Sequence, residues 1–253
     1  MARNMRHAPI ITRRITAMIY ITGDTHRDID WHKLTSKSFP QKHLTKDDFV
    51  IVLGDFGAVW DGCYTDEKTD SYFLSWYQNK PWTTLFIDGN HENHEALATY
   101  PEQEWNGGKV HVLRPSVLHL ERGQVFTING LKFFTMGGAK STDKHLRKPH
   151  VSWWKEELPS IDQIEQAETA LSENNWSVDY ILTHTCPSHV LQTIYGWYNA
   201  HPCDVERWFD EIYLKASFRH WYFGHHHLDT QIKYNITAVY NNIIPLPEKE
   251  TAT

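Results

Sequence analysis

Residues 83–92 read TTLFIDGNHE, in which an apolar run, Thr83–Ile87, leads through Asp88 into a glycine and three polar side chains. A short apolar run of this kind predicts a strand buried on both faces, as parallel and mixed sheets require. The same arrangement recurs along the chain. Four further apolar runs each end in a polar block, at Met18–Thr22, Phe49–Leu53, Val178–Thr183 and His220–Phe223.

The segments between these runs favour helices and hairpins. Helices are predicted at Asp66–Gln78, Glu92–Ala98, Ile161–Glu173 and Asp204–Ala216, with Ser160 and Asp204 as N-caps. Further strands are predicted at Val117–Leu120, Val125–Ile128, Leu131–Met136, Gln231–Lys233 and Ile236–Tyr240, with Asn129-Gly130 as a hairpin turn. Strands alternating with helices predict an α/β fold.

The chain shows no internal repeat, low-complexity tract or linker, so we expect a single domain over residues 18–245. Residues 1–17 carry four arginines and lack the apolar segment of a secretory signal. We expect them to be a disordered extension, and residues 246–253 to be a short tail.

Bulk composition restricts the class of protein. No run of about 18 apolar residues is present, so a membrane span is not expected. The net charge of −6 argues against a general nucleic-acid binder, although bound metal ions would let an acidic protein hold a phosphate substrate. Three scattered cysteines, Cys63, Cys186 and Cys203, without a CxxC pair are typical of a reducing compartment, and we expect a cytoplasmic protein.

The polar blocks after the five strands supply side chains that can bind metal ions. Ligands of α/β sheets bind at the carboxyl ends of the strands, so we expect these side chains to converge there. In the pairs Asp24-x-His26 and His225-x-His227, an extended backbone would aim both side chains the same way. The donors are carboxylate, amide and imidazole groups, which suit Mn, Fe or Zn. The candidate ligands are Asp24, His26, Asp55, Asn90, His184, His225 and His227.

The order of the blocks resembles the calcineurin-like metallophosphoesterase superfamily. The blocks are GDTH (23–26), GDFG (54–57), GNHE (89–92), THTCP (183–187) and GHHH (224–227). The resemblance implies a four-layer α/β/β/α sandwich of two mixed sheets. Two divalent metal ions would bind at the carboxyl ends of the strands, and we expect Mn in preference to Fe or Zn. A looser likeness of residues 137–143 to the substrate-facing loop indicates a small bacterial or phage-type member.

The resemblance also implies residue roles. The first metal would be held by Asp24, His26, Asp55 and His227, and the second by Asp55, as a bridge, with Asn90, His184 and His225. His91 would protonate the leaving oxygen and Glu92 would orient His91, while a hydroxide bridging the metals attacks phosphorus in line. The arginine of the GDxxDRG pattern of many relatives is missing from residues 54–60, GDFGAVW. Arg27 and Arg147 are the substrate-binding candidates that replace it.

The expected activity is hydrolysis of phosphomonoesters or phosphodiesters. Two alternatives remain: a catalytically silent scaffold on the same fold, and an enzyme that cuts the nucleic-acid backbone. The acidic net charge disfavours the second unless a basic rim of Arg27, Lys140, Arg147 and Lys148 lies beside the site. The sequence indicates neither the physiological substrate nor an oligomeric state.

Overall fold

A computed structural model describes residues 17–60 and 67–247. Its strands are β1 (Ile19–Thr22), β2 (Phe49–Leu53), β3 (Thr83–Ile87), β4 (Glu102–Trp105), β5 (Gly108–Arg114), β6 (Val117–Leu120), β7 (Gln124–Ile128), β8 (Leu131–Met136), β9 (Tyr180–Thr183), β10 (His220–Phe223), β11 (Thr230–Lys233), β12 (Ile236–Ala238) and β13 (Ile243–Pro245). Its helices are α1 (Glu67–Gln78), α2 (His94–Leu97), α3 (Ile161–Glu173), α4 (Ser188–Tyr195) and α5 (Asp204–Lys215). None of the helices in these ranges has the length and apolar character needed to cross a membrane.

The strands form two mixed sheets. The first has seven strands in the order β13-β1-β2-β3-β6-β5-β4, and the second has six in the order β11-β12-β10-β9-β8-β7. Neighbours β1, β2 and β3 are parallel, and so are β9 and β10. The carboxyl ends of these five strands therefore lie along one edge of each sheet.

Side-chain alternation in β2 explains the continuous apolar runs. Ile51 and Leu53 point into the core between the two sheets. Val50 and Val52 point to the other face of the first sheet, where residues of α1 pack. Because both faces are covered, no position of β2 from Val50 onward favours a polar side chain.

Three cores separate four layers. The core between the sheets joins residues such as Ile87 to Phe133 and Leu182 of the second sheet. The outer face of the second sheet is covered by α3, α4 and α5, with Phe209 packed against Trp221. The predicted four-layer α/β/β/α sandwich with two mixed sheets is thus confirmed.

Several elements differ from the prediction. The strands β4, β5 and β13 and the helix α4 were not predicted. Strand β4 has polar, exposed residues and pairs only with β5 at the sheet edge, so its sequence carries no buried pattern. Helix α2 begins at His94, later than predicted, because the Asn93 side chain caps it. Residue Cys203, and not Asp204, is the N-cap of α5.

Both ends of the predicted domain lie close to the limits of the described residues. Residues 1–16, 61–66 and 248–253 fall outside the description, so it leaves out the predicted extension except its last residue, the predicted tail except its first two residues, and Cys63. Leu246 is buried and its N–H donates to the Ile19 carbonyl at 2.8 Å. The chain therefore stays in contact with β1 one residue beyond β13. The domain boundaries themselves remain predictions.

Helix α3 offers a test of the local sequence signals. Ser160 Oγ accepts from Gln163 N–H at 3.2 Å, while Gln163 Oε1 accepts from Ser160 N–H at 3.0 Å, which completes the capping box. We expect Ser160→Ala to lower the free energy of unfolding by about 1 kcal/mol because one helix-end N–H loses its acceptor. Urea unfolding measures the change. The exposed Ser172→Ala within the same helix is the control, and an equal loss there would contradict the assignment.

Candidate metal centre

The predicted ligands meet where the carboxyl edges of the two sheets face each other. Asp24 and His26 follow β1, Asp55 follows β2, and Asn90 follows β3. His184 follows β9 of the second sheet, and His225 and His227 follow β10. The centre is therefore built by both sheets, and neither sheet alone holds all of its donors.

The carboxylate of Asp55 lies at the middle of this group and is almost fully buried. Its Oδ2 atom is 3.2 Å from His26 Nε2, and its Oδ1 atom is 3.3 Å from His184 Nε2. Oδ1 also accepts the His91 N–H at 2.7 Å. The two oxygens of Asp55 thus face imidazoles that come from different sheets.

Two clusters of donor atoms share this neighbourhood. One comprises Asp24, His26 and His227, and another comprises Asp55, His184 and His225, with donor atoms in each within 4.8 Å of one another. Asn90 Oδ1 lies 3.1 Å from His184 Nε2 and so borders the second cluster. A third such group, His26, Asp55 and His91, overlaps the first two. The predicted ligands therefore lie together, and their binding of a cation remains a prediction.

Hydrogen bonds on the outer side of the cluster orient two of the imidazoles. His26 Nδ1 is 2.8 Å from Asp30 Oδ2, and His184 Nδ1 is 2.7 Å from the Leu53 carbonyl. Each outer acceptor holds the Nδ1 proton, which leaves Nε2 to point inward as a ligand atom. In addition, the buried Asp24 Oδ2 has no hydrogen bond from any described residue, although His227 Nε2 lies 3.2 Å away. These features fit a divalent cation.

Protonation of the cluster follows from its burial and charges. Burial disfavours the charged form of His26, but Asp55 outweighs it and raises the pKa of His26 to about 9. The same balance raises the pKa of His184 to about 9. Burial disfavours ionisation of Asp55, but His184 and His26 hold its pKa well below the usual range. Protons and metal ions therefore compete for the same imidazole atoms.

The backbone at the ligands is left-handed, which corrects one expectation. Positive φ angles of 40° at His26, 45° at Asp55, 63° at His225 and 51° at His227 occur at non-glycine residues. The pairs Asp24-x-His26 and His225-x-His227 therefore do not converge through extended alternation, as the spacing predicted. Tight turns aim these side chains instead, and His225 and His227 fall in different clusters.

Glycines next to the ligands are required by close approach. A Cβ atom on Gly89 would lie 2.1 Å from Asp55 Oδ1, and one on Gly54 would lie 2.1 Å from His184 Nδ1. A Cβ on Gly224 would lie 2.4 Å from Asp24 Oδ1. Each of these glycines makes room for a ligand that another strand contributes.

His91 and Arg147 lie side by side at the mouth of the centre. His91 Nε2 is 4.0 Å from Asp55 Oδ2 and 3.3 Å from Arg147 Nη2. Arginine only donates, so His91 Nε2 accepts here. Burial lowers the pKa of His91, Asp55 opposes the shift, and Arg147 adds to it. Asp143 Oδ1 accepts from Arg147 Nε at 2.7 Å and fixes the guanidinium.

Glu92 has partners other than the one the resemblance implied. Its Oε1 and Oε2 atoms accept the N–H groups of Phe56, at 2.6 Å, and Gly57, at 3.2 Å. Burial, then the charge of Asp55, raise the pKa of Glu92 well above its usual range. The described hydrogen bonds of Glu92 thus hold the turn that follows Asp55, and none of them reaches the imidazole of His91.

Arg27 is committed to an ion pair. Its Nη2 atom lies 2.6 Å from Asp70 Oδ1 of α1, and both side chains are largely buried. Asp70 Oδ2 also accepts the Trp60 N–H at 2.6 Å. This pair joins the turn after β1 to α1, so the contacts of Arg27 favour a structural role over the predicted contact with substrate.

Sequence reasoning missed residues that support the ligands from outside. Asp30 binds His26, and the buried ammonium of Lys33 donates to the carbonyls of Gly23 and Asp24 at 3.0 and 2.6 Å. Burial lowers the pKa of Lys33 to about 8. The spacing of His26 and Asp30, four residues apart in a turn, was the one local signal that pointed to either residue.

Two clusters of His and Asp donors thus lie at the facing edges of two sheets. Comparison with known protein families points to the same kind of site. Residues 17–229 match the calcineurin-like phosphoesterase family model. The protein belongs to the calcineurin-like phosphoesterase family, which confirms the resemblance stated from the motifs.

More specific relatives are distant. The chain is 26% identical to the lariat debranching enzyme of Saccharomyces cerevisiae over 165 residues, which cover 57% of this chain and 38% of that protein. Lariat debranching enzyme A of Xenopus laevis is 25% identical over 187 residues, 68% of this chain and 33% of that protein. The chain thus spans about a third of the length of these relatives. The solved structure of phosphopantetheinyl hydrolase from Mycobacterium tuberculosis superposes with a TM-score of 0.49 at 11% identity, covering 94% of this chain and 98% of that one.

The imidazole pKa values predict opposite pH dependences for metal binding and for stability. We expect Mn²⁺ to bind more tightly as pH rises from 6.5 towards about 9, because His26 and His184 release their protons over this range. The chelator-treated protein should lose stability over the same range. A raised pKa stabilises the folded state fully below 6.5, and that contribution disappears as pH passes the folded-state value of about 9.

Calorimetric titration with Mn²⁺ in buffers of different ionisation enthalpy measures both the affinity and the protons released. Thermal unfolding with chelator measures the stability. A metal affinity that does not change with pH and releases no protons would refute the inward-facing imidazole assignment.

Proposed function

We propose that this protein is a dinuclear metal-dependent phosphoesterase in which Asp55 would be shared by two divalent cations. The observation that carries the proposal is the position of Asp55, whose two oxygens lie 3.2 Å from His26 and 3.3 Å from His184, each a member of a different donor cluster. A carboxylate placed in this way suits a pair of cations better than one.

The remaining donors divide between the two positions. Asp24, His26 and His227 would hold the first cation, and Asn90, His184 and His225 the second, with Asp55 shared. Two divalent cations held there would supply positive charge for the phosphate oxygens and would activate a water for in-line attack. Imidazole with carboxylate and amide oxygen, and no thiolate, suits Mn, Fe or Zn, and of these Mn²⁺ is the cation we propose.

His91 is the residue we assign to protonate the leaving oxygen. Its side chain is 32% exposed, so a substrate can reach it. Burial, together with Arg147, lowers the pKa of His91, and Nε2 accepts from Arg147, so this nitrogen carries no proton in the arrangement described. A substrate phosphate that draws Arg147 away from His91 and adds its own negative charge would favour protonation of Nε2, and the resulting imidazolium would give that proton to the leaving oxygen. Glu92 would contribute by holding the turn after Asp55.

A phosphodiester is the substrate class that the surroundings favour. Lys140, Lys144, Arg147 and Lys148 lie on one connection; the three lysines are exposed, and Arg147 contacts His91. This basic rim gives an acidic protein a local surface for a polyanion. The distant lariat debranching relatives agree with a diester. Action on a nucleic-acid backbone is therefore the second candidate, and Arg27, the fourth residue of the rim expected from the sequence, is paired with Asp70.

A catalytically silent scaffold is less consistent with the centre. Loss of catalysis on a metal-binding fold usually removes donors, and here all of the predicted ligands, together with His91, lie around one centre. A reducing, cytoplasmic location is part of the proposal, supported by the free thiols of Cys186 and Cys203.

Removal of the shared carboxylate charge tests the function directly. We expect the chelated protein to be inactive, Mn²⁺ to restore turnover, and Asp55→Asn to lower kcat by at least about a hundredfold because the bridge between the cations weakens. The reporters are p-nitrophenyl phosphate and bis-p-nitrophenyl phosphate, and we expect the diester to be preferred.

The exposed Asp47→Asn makes the same chemical change away from the centre and should retain full activity. A wild type that binds Mn²⁺ and hydrolyses neither reporter with any of several cations would favour the scaffold. An Asp55→Asn variant as active as Asp47→Asn would exclude the proposed bridge.

Neutralising the basic rim separates a polyanionic substrate from a small one. We expect Lys140→Gln combined with Lys148→Gln to lower kcat/KM on a short single-stranded oligonucleotide by roughly tenfold, through lost phosphate contacts, and to leave bis-p-nitrophenyl phosphate unchanged. The control replaces the exposed Lys37 and Lys42 in the same way. Equal rates for both double variants would show that the rim does not contact substrate.

A further inference from the structure

The orientation of the Asn90 side chain matters because its amide has two unlike ends. The oxygen can bind a cation and the NH₂ group cannot. Oδ1 lies 3.1 Å from His184 Nε2 and faces the second donor cluster. Nδ2 faces away from it and donates to Ser141 Oγ at 3.1 Å. The oxygen and the NH₂ group are similar in size, so shape alone does not fix the orientation of the Asn90 amide. A hydrogen-bond partner has to select it.

A chain of hydrogen bonds continues from Asn90 into the protein interior. The Ser141 hydroxyl accepts from Asn90 and donates its own proton to Glu157 Oε2. The Ser141 N–H donates to Glu157 Oε1 at 3.2 Å. Glu157 is 2% exposed and Ser141 is 4% exposed, so water does not compete for these groups. Both carboxylate oxygens of Glu157 are thereby occupied by one residue, Ser141.

We propose that Ser141 and Glu157 are positioning residues for the second cation, which hold the oxygen of Asn90 towards it; this inference rests on the proposed dinuclear centre. The single hydroxyl proton of Ser141 is committed to Glu157. A flipped Asn90 would set Oδ1 against Ser141 Oγ with no proton between two acceptors. The direction of the chain, from Asn90 through Ser141 to Glu157, therefore selects one amide orientation.

A near-isosteric change at Glu157 should reverse that direction. In Glu157→Gln, the fixed N–H of Ser141 requires the amide oxygen opposite it, so the new NH₂ group faces Ser141 Oγ. The hydroxyl then accepts from the glutamine and turns its proton towards Asn90. This arrangement favours the flipped amide, with Nδ2 directed at the cation. Ser141→Ala instead removes the chain and leaves Asn90 without a fixed orientation.

The test is Mn²⁺ titration of the chelator-treated full chain, followed by electron paramagnetic resonance. Exchange-coupled Mn²⁺ pairs give a signal distinct from that of a single ion, so the filling of the second position is seen without reference to activity. We expect Glu157→Gln and Ser141→Ala to weaken the second Mn²⁺ by roughly 10–100-fold and to leave the first within about threefold.

Glu156→Gln, the same charge change one residue earlier, is the matched control and should give the coupled signal of the wild type. Circular dichroism identifies a variant that fails to fold, and Ser141→Ala then carries the test. If Glu157→Gln and Ser141→Ala both give the coupled signal at the same Mn²⁺ concentration as Glu156→Gln, the positioning role is overturned. The dinuclear centre itself would still stand. If the wild type gives no coupled signal, the dinuclear proposal is overturned, and with it the positioning role of Ser141 and Glu157.

Discussion

The carboxylate of Asp55 is buried, and a buried carboxylate needs positive charge or hydrogen-bond donors around it. Removing a charge from water costs several kcal/mol unless partners compensate for it. The partners of Asp55 come from three strands: the His26 imidazole after β1, the His91 N–H after β3 and the His184 imidazole after β9 of the other sheet. These contacts of Asp55 can form together only when the two sheets stack with their carboxyl edges side by side, as the apolar core between them holds them.

The ligands are held in conformations that they would not adopt alone. Left-handed φ angles at His26, Asp55, His225 and His227 each cost on the order of 1–3 kcal/mol. Surrounding contacts offset this strain: Glu92 binds the turn after Asp55, and Lys33 binds the carbonyls before His26. These contacts with the protein itself fix the backbone of the turns that carry the candidate ligands.

The sequence predicted most of the fold because β2, β3 and β10 are buried on both faces and so carry uninterrupted apolar runs. It failed at β4, where exposed polar residues on an edge strand leave no period to detect. The candidate ligands were predictable since each ends such a strand. The partners of Arg27 and Glu92 were not, because hydrogen bonds to Asp70 and to backbone N–H groups depend on packing between segments distant in sequence.

The connection between β8 and α3 bears on how proteins of this kind diversify. It supplies Ser141 to Asn90 and Arg147 to His91, yet it contributes none of the seven candidate ligands and lies between two regular elements. A replacement or insertion in this one segment would alter substrate contacts and the support of the second cation in a single step. Substrate selectivity and metal preference would then change together. The strands and the seven candidate ligands would not have to change.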